Sequence, residues 1–171
     1  MKSTGITRRI DDLGRIVIPK EIRRNLKIKD NEILEIFIDH ENIILKKFSS
    51  FDDMNIIFDK LIKVLEEETL NNVLITNRDK IICTSKKDYL NKEIGSDILD
   101  IIKTKTKKIF NKKDIVELSI DDEINVNCYI NPIMNNGDVL GTVVLFGLKN
   151  IEEKDIIMVD LISKLIINYI D

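Results

Sequence analysis

The first two segments of the chain with strand character are short and mix apolar with polar positions. They cover residues 5–10 and 15–18 and are separated by the sequence DDLG at 11–14. This sequence predicts a turn, because glycine tolerates a positive φ and aspartate bonds nearby backbone amides. We therefore expect two short strands joined by a tight turn.

A short helix is predicted after the second segment. Pro19 suits the first position of a helix, where its missing amide hydrogen costs nothing, and Glu21 follows in the first turn. Helical spacing places Ile22 and Leu26 on a buried side, opposite a basic face. The helix is too short to be stable alone and must pack on the strands. The basic face consists of Lys20, Arg23, Arg24 and Lys27.

A second pair of apolar runs, residues 33–38 and 43–48, predicts a β-hairpin around the sequence DHEN at 39–42. Five of the six positions at 33–38 are apolar, so we expect this strand to be buried on both faces. Fifty residues bury little surface alone, and two interleaved chains would explain such strands. His40, the only histidine, is predicted to be an exposed turn residue rather than a metal ligand.

Helical spacing begins after Ser49-Ser50, where we place the boundary between an N-terminal domain, residues 1–50, and a C-terminal domain, residues 51–171. Two hypotheses fit the first helix, at 51–68. It docks on its own domain, it joins the same helix of a second chain in a bundle, or it does both with different faces. The apolar seam of this helix consists of Phe51, Met54, Phe58, Leu61 and Leu65.

A hairpin at 73–84 and a second helix are predicted next, the helix capped by Ser96 and continuing to about Lys108. Lysines cluster near the end of this helix, and they are either solvated or form a second nucleic-acid contact. The inward residues are Ile98, Leu99, Ile102 and Ile109, and the lysines are those at 103, 105, 107, 108, 112 and 113.

Strands and a last helix complete the pattern. Strands near 114–119 and 125–132 precede the hairpin signal NNGD at 135–138. The strand at 139–146 is the most apolar, which predicts a central position in the sheet. The last helix, residues 153–170, is apolar on two sides, so one stripe covers the sheet and the second needs another partner.

Charge is distributed unevenly along the chain. Residues 1–29 hold nine basic and three acidic residues, although the whole chain carries a net charge of −3. Such a concentration of positive charge is either a surface for a polyanion or a solvated basic face. No apolar segment is long enough to predict a membrane span or a signal peptide, so we expect a cytoplasmic protein.

The residues give no basis for an enzyme, a metal site or a cofactor. No nucleophile has a base near it, and no glycine-rich phosphate loop is present. Cys83 and Cys128 lack the paired spacing of a zinc site or a disulfide framework. We therefore expect them to be buried as small apolar residues.

The sequence TGITRRIDDLGRIVIPKEIRR at 4–24 resembles the AbrB-type swapped-hairpin DNA-binding domain of bacterial transition-state and sporulation regulators. The resemblance implies an obligate dimer of intertwined hairpins, a swapped-hairpin β-barrel, that binds double-stranded DNA through arginines. Carried over position by position, the DNA-binding residues are Arg8, Arg15, Arg23 and Arg24, with Arg9 at a basic position and Lys2 beside them.

Arg8 and Arg9 are neighbours on a predicted strand, and neighbouring side chains of a strand point to opposite faces. Both can face one duplex only if the strand is twisted or bulged. We favour Arg8 as the DNA contact, and we expect one of the two arginines to bond a carboxylate such as Asp11, Asp12 or Glu21.

The element order after residue 50, with SKKDYLNK at 85–92, Pro132-Ile133 and NGD at 136–138, resembles the GAF-type domain of the stage V sporulation protein T family. The expected fold class is thus α+β: a swapped-hairpin barrel followed by a GAF-like antiparallel sheet with flanking helices. The resemblance also implies that helices 51–68 and 153–170 pair between chains to form a tetramer.

The same resemblance implies a cavity for an unknown small ligand. The loop between Cys83 and Lys86 borders that cavity and is shorter than in the family, which puts an inherited ligand in doubt. The candidate ligand-binding residues are Thr84, Ser85, Tyr89 and Tyr129, and an ordinary core or surface role explains each of them as well.

The function that follows is a DNA-binding regulator of bacterial sporulation genes, acting as activator or repressor. Two alternatives remain at this point. One is an antitoxin of the same hairpin class that holds a toxin with its C-terminal part. The other is a sensory assembly module that does not bind DNA and uses its basic end for assembly.

Overall fold

The computed structural model describes residues 5–26, 28, 30, 33–47 and 54–170. The chain divides into two compact parts, the first unit (Met1–Ser49) and the second unit (Ser50–Asp171). The predictions on Lys2, Lys27 and Phe51 concern positions that lie outside the described residues.

The hairpin predicted in the first unit is confirmed. Strand β1 (Leu34–Asp39) pairs in antiparallel fashion with β2 (Asn42–Lys47). His40 adopts a φ of 54° in the turn and is exposed, as predicted. Its ring Nδ1 lies 2.8 Å from a carboxylate oxygen of Asp39.

Helix α1 (Lys20–Asn25) begins one position later than predicted, because Pro19 is its N-cap rather than its first residue. The carbonyl oxygen of Pro19 accepts the amide of Arg23 at 3.0 Å. Ile22 is half-buried, but Leu26 is 57% exposed. The prediction that Leu26 is buried is therefore wrong for a single copy of the chain.

The strands predicted at 5–10 and 15–18 do not form in a single copy, so this prediction is wrong at that level. The turn between them does form, since the amide of Gly14 (φ 75°) donates to the carbonyl of Asp11 at 2.9 Å. A strand needs a neighbour for its backbone hydrogen bonds. In the described part of the first unit, β1 and β2 pair only with each other.

Both faces of the hairpin are exposed, although the sequence predicts burial on both faces of its first strand. Ile36, Ile38 and Ile43 are 67%, 82% and 66% exposed. The first unit is too small to cover these side chains with its own residues. A contiguous apolar surface of this kind indicates an interaction with another surface.

The second unit contains three α-helices and seven strands in its described part. The helices are α2 (Asn55–Thr69), α3 (Ser96–Thr104) and α4 (Glu153–Ile170). The strands are β3 (Asn72–Thr76), β4 (Ile81–Thr84), β5 (Lys108–Phe110), β6 (Val116–Ser119), β7 (Asp122–Ile124), β8 (Asn127–Asn135) and β9 (Asp138–Gly147).

A five-stranded antiparallel sheet forms the middle of the second unit, in the order β4-β3-β9-β8-β5. Strand β9 is central, as its apolar sequence predicts. The β8–β9 connection turns at Asn136 and Gly137, whose φ values of 48° and 86° suit a type I′ turn. The predicted β3–β4 hairpin also forms. The short strands β5 and β7 have no counterpart in the predicted pattern.

Apolar side chains pack on both faces of this sheet. One core joins the sheet to α2 and α4, where Phe58, Leu65 and Val159 are fully buried. The other joins the sheet to α3 and β6 and contains Ile98 and Leu118. The described part of the α2 seam therefore docks on its own unit, which is the first of the two hypotheses for this helix.

Helix α3 ends at Thr104 rather than near Lys108. Lys105 ends it in the left-handed conformation, with a φ of 58°, and the chain continues into β5. Because Ile109 lies in this edge strand instead of on the helix, it is 51% exposed rather than inward. Leu99, also predicted inward, is 37% exposed.

Gly95 is the N-cap of α3, at the position next to the predicted cap Ser96. The carboxylate of Glu117 in β6 accepts the amide of Ser96 at 3.0 Å, and the amide of Gly95 donates to Leu118. A Cβ atom at Gly95 would lie 2.1 Å from the carbonyl oxygen of Glu117. Glycine is therefore required where α3 begins against β6.

Helix α4 has the predicted bounds and the two predicted apolar stripes. Val159, Ile162 and Ile166 are buried against the sheet. Within the described residues, no helix is both long enough and apolar enough to cross a lipid bilayer. The exposed stripe repeats every fourth residue and consists of Ile157, Leu161, Leu165 and Tyr169.

A polar contact also fastens α4 to the sheet. Asp160 accepts hydrogen bonds from the Tyr129 hydroxyl at 2.7 Å and from Lys107 Nζ at 2.8 Å. Burial alone would raise the pKa of Asp160, but these hydrogen bonds outweigh it and hold the pKa below its usual value. The carboxylate is therefore ionised at neutral pH and links α4 to β8 and to the start of β5.

Replacing Gly95 with alanine should destabilise the second unit by about 1–3 kcal/mol, because the new methyl group meets a backbone carbonyl that cannot move away cheaply. Urea unfolding followed by circular dichroism measures the change. Asp100→Ala is the matched control, since Asp100 is exposed on the same helix. Equal stability of the two variants would contradict the steric argument.

Asp160→Asn should lower the melting temperature at neutral pH by a few degrees, through loss of the ion pair with Lys107. A depressed folded-state pKa stabilises above the unfolded value of about 3.9, and this stabilisation disappears as pH falls. The difference in melting temperature between Asp160→Asn and the wild type should therefore disappear as the pH falls from about 5 to about 3. Thermal unfolding at several pH values tests this, with Asp100→Asn as control, and a gap that widens in acid would refute it.

Candidate nucleic-acid interface

The candidate interface is the basic surface of the first unit. Its cations come from the segment before the 11–14 turn, from the segment after that turn, and from α1. All are exposed except Arg23, which is half-buried. We define the basic surface by Arg8, Arg9, Arg15, Lys20, Arg23 and Arg24.

Arg15 is held by the turn that precedes it. Its Nε atom donates to Asp11 Oδ2 at 2.8 Å. The other oxygen of Asp11 accepts the backbone amides of Leu13 at 3.0 Å and of Arg15 at 2.8 Å. The backbone amide and the guanidinium of Arg15 hold the pKa of Asp11 below its usual value, so this carboxylate is ionised at neutral pH.

Arg23 is held differently. Its Nη1 atom donates to Asp30 Oδ1 at 2.7 Å, and its Nε atom is buried without a hydrogen-bond partner among the described residues. Its side chain is 38% exposed, compared with 71% for that of Arg15. Arg23 therefore offers less of its guanidinium to a ligand than Arg15 does.

The prediction that Arg8 or Arg9 bonds a carboxylate is wrong within the described residues. Arg8 Nη1 donates to the backbone carbonyl of Thr7 at 2.8 Å, and Arg9 makes no ion pair there. Arg15 is bonded to Asp11 instead, because the turn brings these two residues together across four positions. Arg8 shares a cleft of about 550 Å³ with Lys20 at the start of α1.

An apolar cavity of about 320 Å³ lies beside the basic surface. Its lining consists of aliphatic side chains from three segments of the first unit, together with Arg8. A cavity of this composition fits apolar side chains better than a charged ligand. The lining residues include Ile6, Ile16, Ile18, Ile22, Leu26 and Leu45.

The four candidate ligand-binding residues do not line one pocket. Tyr89 packs edge-on against Phe146 in the core on the α3 side of the sheet, and Tyr129 lies in the core on the α4 side. Burial raises the pKa of both tyrosines. Thr84 and Ser85 bond nearby backbone atoms instead, with Ser85 Oγ accepting an amide of β3 at 3.0 Å.

Sequence reasoning named Asp11 as a possible partner of Arg8 or Arg9, but it paired neither Asp11 with Arg15 nor Asp30 with Arg23. The spacing contained a signal for the first pair, since the turn folds residue 15 back onto residue 11. For the second pair, seven positions separate Arg23 from Asp30, and only the fold brings them together.

Two family models match different parts of the chain. The model described as "Stage V sporulation protein T C-terminal, transcription factor" matches residues 53–166. The model described as "Antidote-toxin recognition MazE, bacterial antitoxin" matches residues 7–51.

Two curated proteins of Bacillus subtilis (strain 168) are similar to the chain. Stage V sporulation protein T is 41% identical over 153 residues, which cover 86% of this chain and 85% of that protein. Transition state regulatory protein AbrB is 60% identical over 48 residues, which cover 28% of this chain and 50% of AbrB. The predicted AbrB-like character of the first unit agrees with this second match.

Two solved structures share the fold at 12% identity. A type II free methionine-R-sulfoxide reductase from Thermoplasma acidophilum has a TM-score of 0.56 over 71% of this chain and 95% of its own. A GAF domain/HD domain protein from Geobacter sulfurreducens has a TM-score of 0.52 over 73% of this chain and 98% of its own. Similarity at this identity concerns the fold alone, and it confirms the predicted GAF-like α+β architecture.

Both the C-terminal model, which covers more than half of the chain, and the relative matched over most of its length agree on one assignment. The chain belongs to the stage V sporulation protein T family of transcription factors.

Proposed function

We propose that the chain regulates sporulation genes by binding double-stranded DNA as a multimer through the basic surface. The observation that carries the proposal is the exposure of Arg15, which is held by Asp11 while its side chain remains 71% exposed. A guanidinium ordered in this way and left open to solvent is suited to phosphates and base edges. Such a regulator acts on the nucleoid, in the bacterial cytoplasm.

A dimer of the first unit is the second element of the proposal. The exposed apolar faces of β1 and β2 and the apolar cavity need a cover, and a second copy of the same hairpin has complementary chemistry. The swapped-hairpin arrangement inferred from the sequence would supply this cover. Dimerisation would also double the number of arginines facing one duplex.

Assembly through the second unit is the third element. The stripe of α4 that contains Ile157 and Leu161 is apolar, exposed and continuous over three turns. A stripe with a four-residue repeat packs well against the same stripe of a second copy. We infer that α4 joins two DNA-binding dimers into a tetramer. Ligand sensing by this unit rests on its GAF-like fold alone, because the four candidate residues do not converge.

The alternatives have less support. The antitoxin description belongs to a model that matches residues 7–51, and the rest of the chain belongs to a transcription-factor family. The two cysteines give no support to an enzyme either, since a catalytic thiol acts as a thiolate near neutral pH. Burial and the neighbouring Asp59 raise the pKa of Cys83 to about 12, and burial raises that of Cys128.

Fluorescence anisotropy with an AT-rich duplex over a range of salt tests DNA binding by the full-length chain. Affinity should fall steeply with salt, with a slope of about −0.9 per phosphate contacted. Arg15→Ala and Arg23→Ala should bind at least about tenfold more weakly while keeping the mass of the wild-type multimer. Lys87→Ala, an exposed charge of the second unit, is the control and should bind like the wild type.

A wild type without salt-dependent binding would refute the DNA-binding proposal and favour the sensory assembly module. A toxin that copurifies in fixed stoichiometry would favour the antitoxin instead.

Leu161→Lys should reduce the assembly from four chains to two, because it places a charge in the middle of the α4 stripe. Light scattering after size-exclusion chromatography measures the mass. Lys103→Glu is the control, since it changes an exposed charge on α3, which packs on the opposite face of the sheet. A wild type of two chains, or a variant that still contains four, would contradict the tetramer.

A further inference from the structure

We propose that Arg15 reads a guanine in the major groove and that Asp11 is the positioning residue that makes this possible, whereas Arg23 contacts phosphate. The inference rests on the proposed DNA binding and assigns different roles to two arginines. It follows from which nitrogen of each guanidinium is already engaged.

Asp11 bonds only one edge of the Arg15 guanidinium. The hydrogen bond to Nε occupies a side edge of the guanidinium. Neither terminal nitrogen, Nη1 or Nη2, has a hydrogen-bond partner among the described residues, and the side chain is 71% exposed. A guanine presents two acceptors, O6 and N7, in the major groove, and an arginine read end-on matches both. The free end of Arg15 is this fork.

The carboxylate is itself fixed, so it can fix the arginine. Asp11 Oδ1 accepts the amides of Leu13 and Arg15, and the carbonyl of Asp11 accepts the amide of Gly14. The carboxylate is thus part of the turn rather than a mobile side chain. Ordering a long side chain before binding removes an entropy cost from the complex.

Arg23 presents the same fork less freely. Asp30 engages one of the two N–H groups of Nη1, and Nε is buried. A pair of parallel bonds to guanine would have to share Nη1 with Asp30, whereas a single bond from Nη2 to a phosphate oxygen would not. Phosphate contacts position a protein on DNA without reading its sequence.

Two variants of the same turn separate positioning from charge. Asp11→Asn keeps the shape and an acceptor for the turn but removes the charge that holds Nε. Asp12→Asn removes the same charge one residue away, where no bond to Arg15 exists in the described structure. Arg15→Lys keeps the positive charge and lacks the fork. Arg23→Gln removes the proposed phosphate contact.

The experiment selects duplexes with a randomised 12-base-pair centre on the full-length chain and sequences the bound fraction. The wild type and Asp12→Asn should prefer guanine at one or more positions of the selected site. Asp11→Asn and Arg15→Lys should lose about 5- to 150-fold of that preference at the same positions. Arg23→Gln should keep the preference, and its salt slope should fall by about one contact.

A guanine-free duplex, poly(dA)·poly(dT), supplies the second readout. Asp11→Asn should bind it as tightly as Asp12→Asn does, since both have lost one negative charge. A general loss of binding by Asp11→Asn on both DNAs would indicate a damaged turn and would overturn the positioning role. A guanine preference of Asp11→Asn equal to that of Asp12→Asn would also overturn it. Arg15→Lys provides the independent check on base reading.

The outcomes keep the two proposals apart. A wild type that binds neither DNA refutes the proposed function itself. If the wild type binds DNA with salt dependence but shows no guanine preference, the proposed function stands and this inference fails. The same holds if the wild type prefers guanine and Arg15→Lys keeps that preference.

Discussion

Uncovered apolar surface is the constraint on which the first unit depends. A hairpin whose side chains are apolar on both faces has two sides to bury, and about fifty residues cannot supply two covers. Burial of apolar area contributes about 25 cal/mol for each Å² removed from water. If both faces stay exposed to water, the unit loses this hydrophobic stabilisation, which is the main contribution to folding. The dimer proposed for the first unit would therefore be a condition of its folding rather than a later association.

The same constraint explains why the arginines can be held by such short segments. The proposed dimer would order the two segments that flank the turn, and the turn, fixed by Asp11, orders Arg15. Acidic residues inside a basic surface reduce its net attraction for a polyanion. Such residues are tolerated where the ordering of a guanidinium favours recognition by more than the reduced positive charge disfavours it. We infer this balance for Asp11 and Asp30.

Periodicity and turn chemistry predicted most of the second unit, because its sheet and helices bury their own apolar faces. Strand β9 was found from its apolar run, and α4 from its two stripes. The errors have physical causes. Lys105 ends α3 through a left-handed backbone that no apolar period reveals, and Gly95 replaces Ser96 as the cap because only glycine fits against Glu117. In the described part of the first unit, residues 5–10 and 15–18 have no strand to pair with, and local sequence does not reveal this.

Two self-association surfaces on one chain have a consequence that neither has alone. If the first units pair through their hairpins and the second units through α4, each assembly carries two DNA-binding dimers joined by folded protein. Binding of one dimer then places the other at a high effective concentration along the same duplex, so two modest contacts combine into a tight one. This gain exists only when the two half-sites have the spacing that the assembly can span. Hence the second unit, although acidic and far in sequence from the arginines, would decide which pairs of sites are occupied.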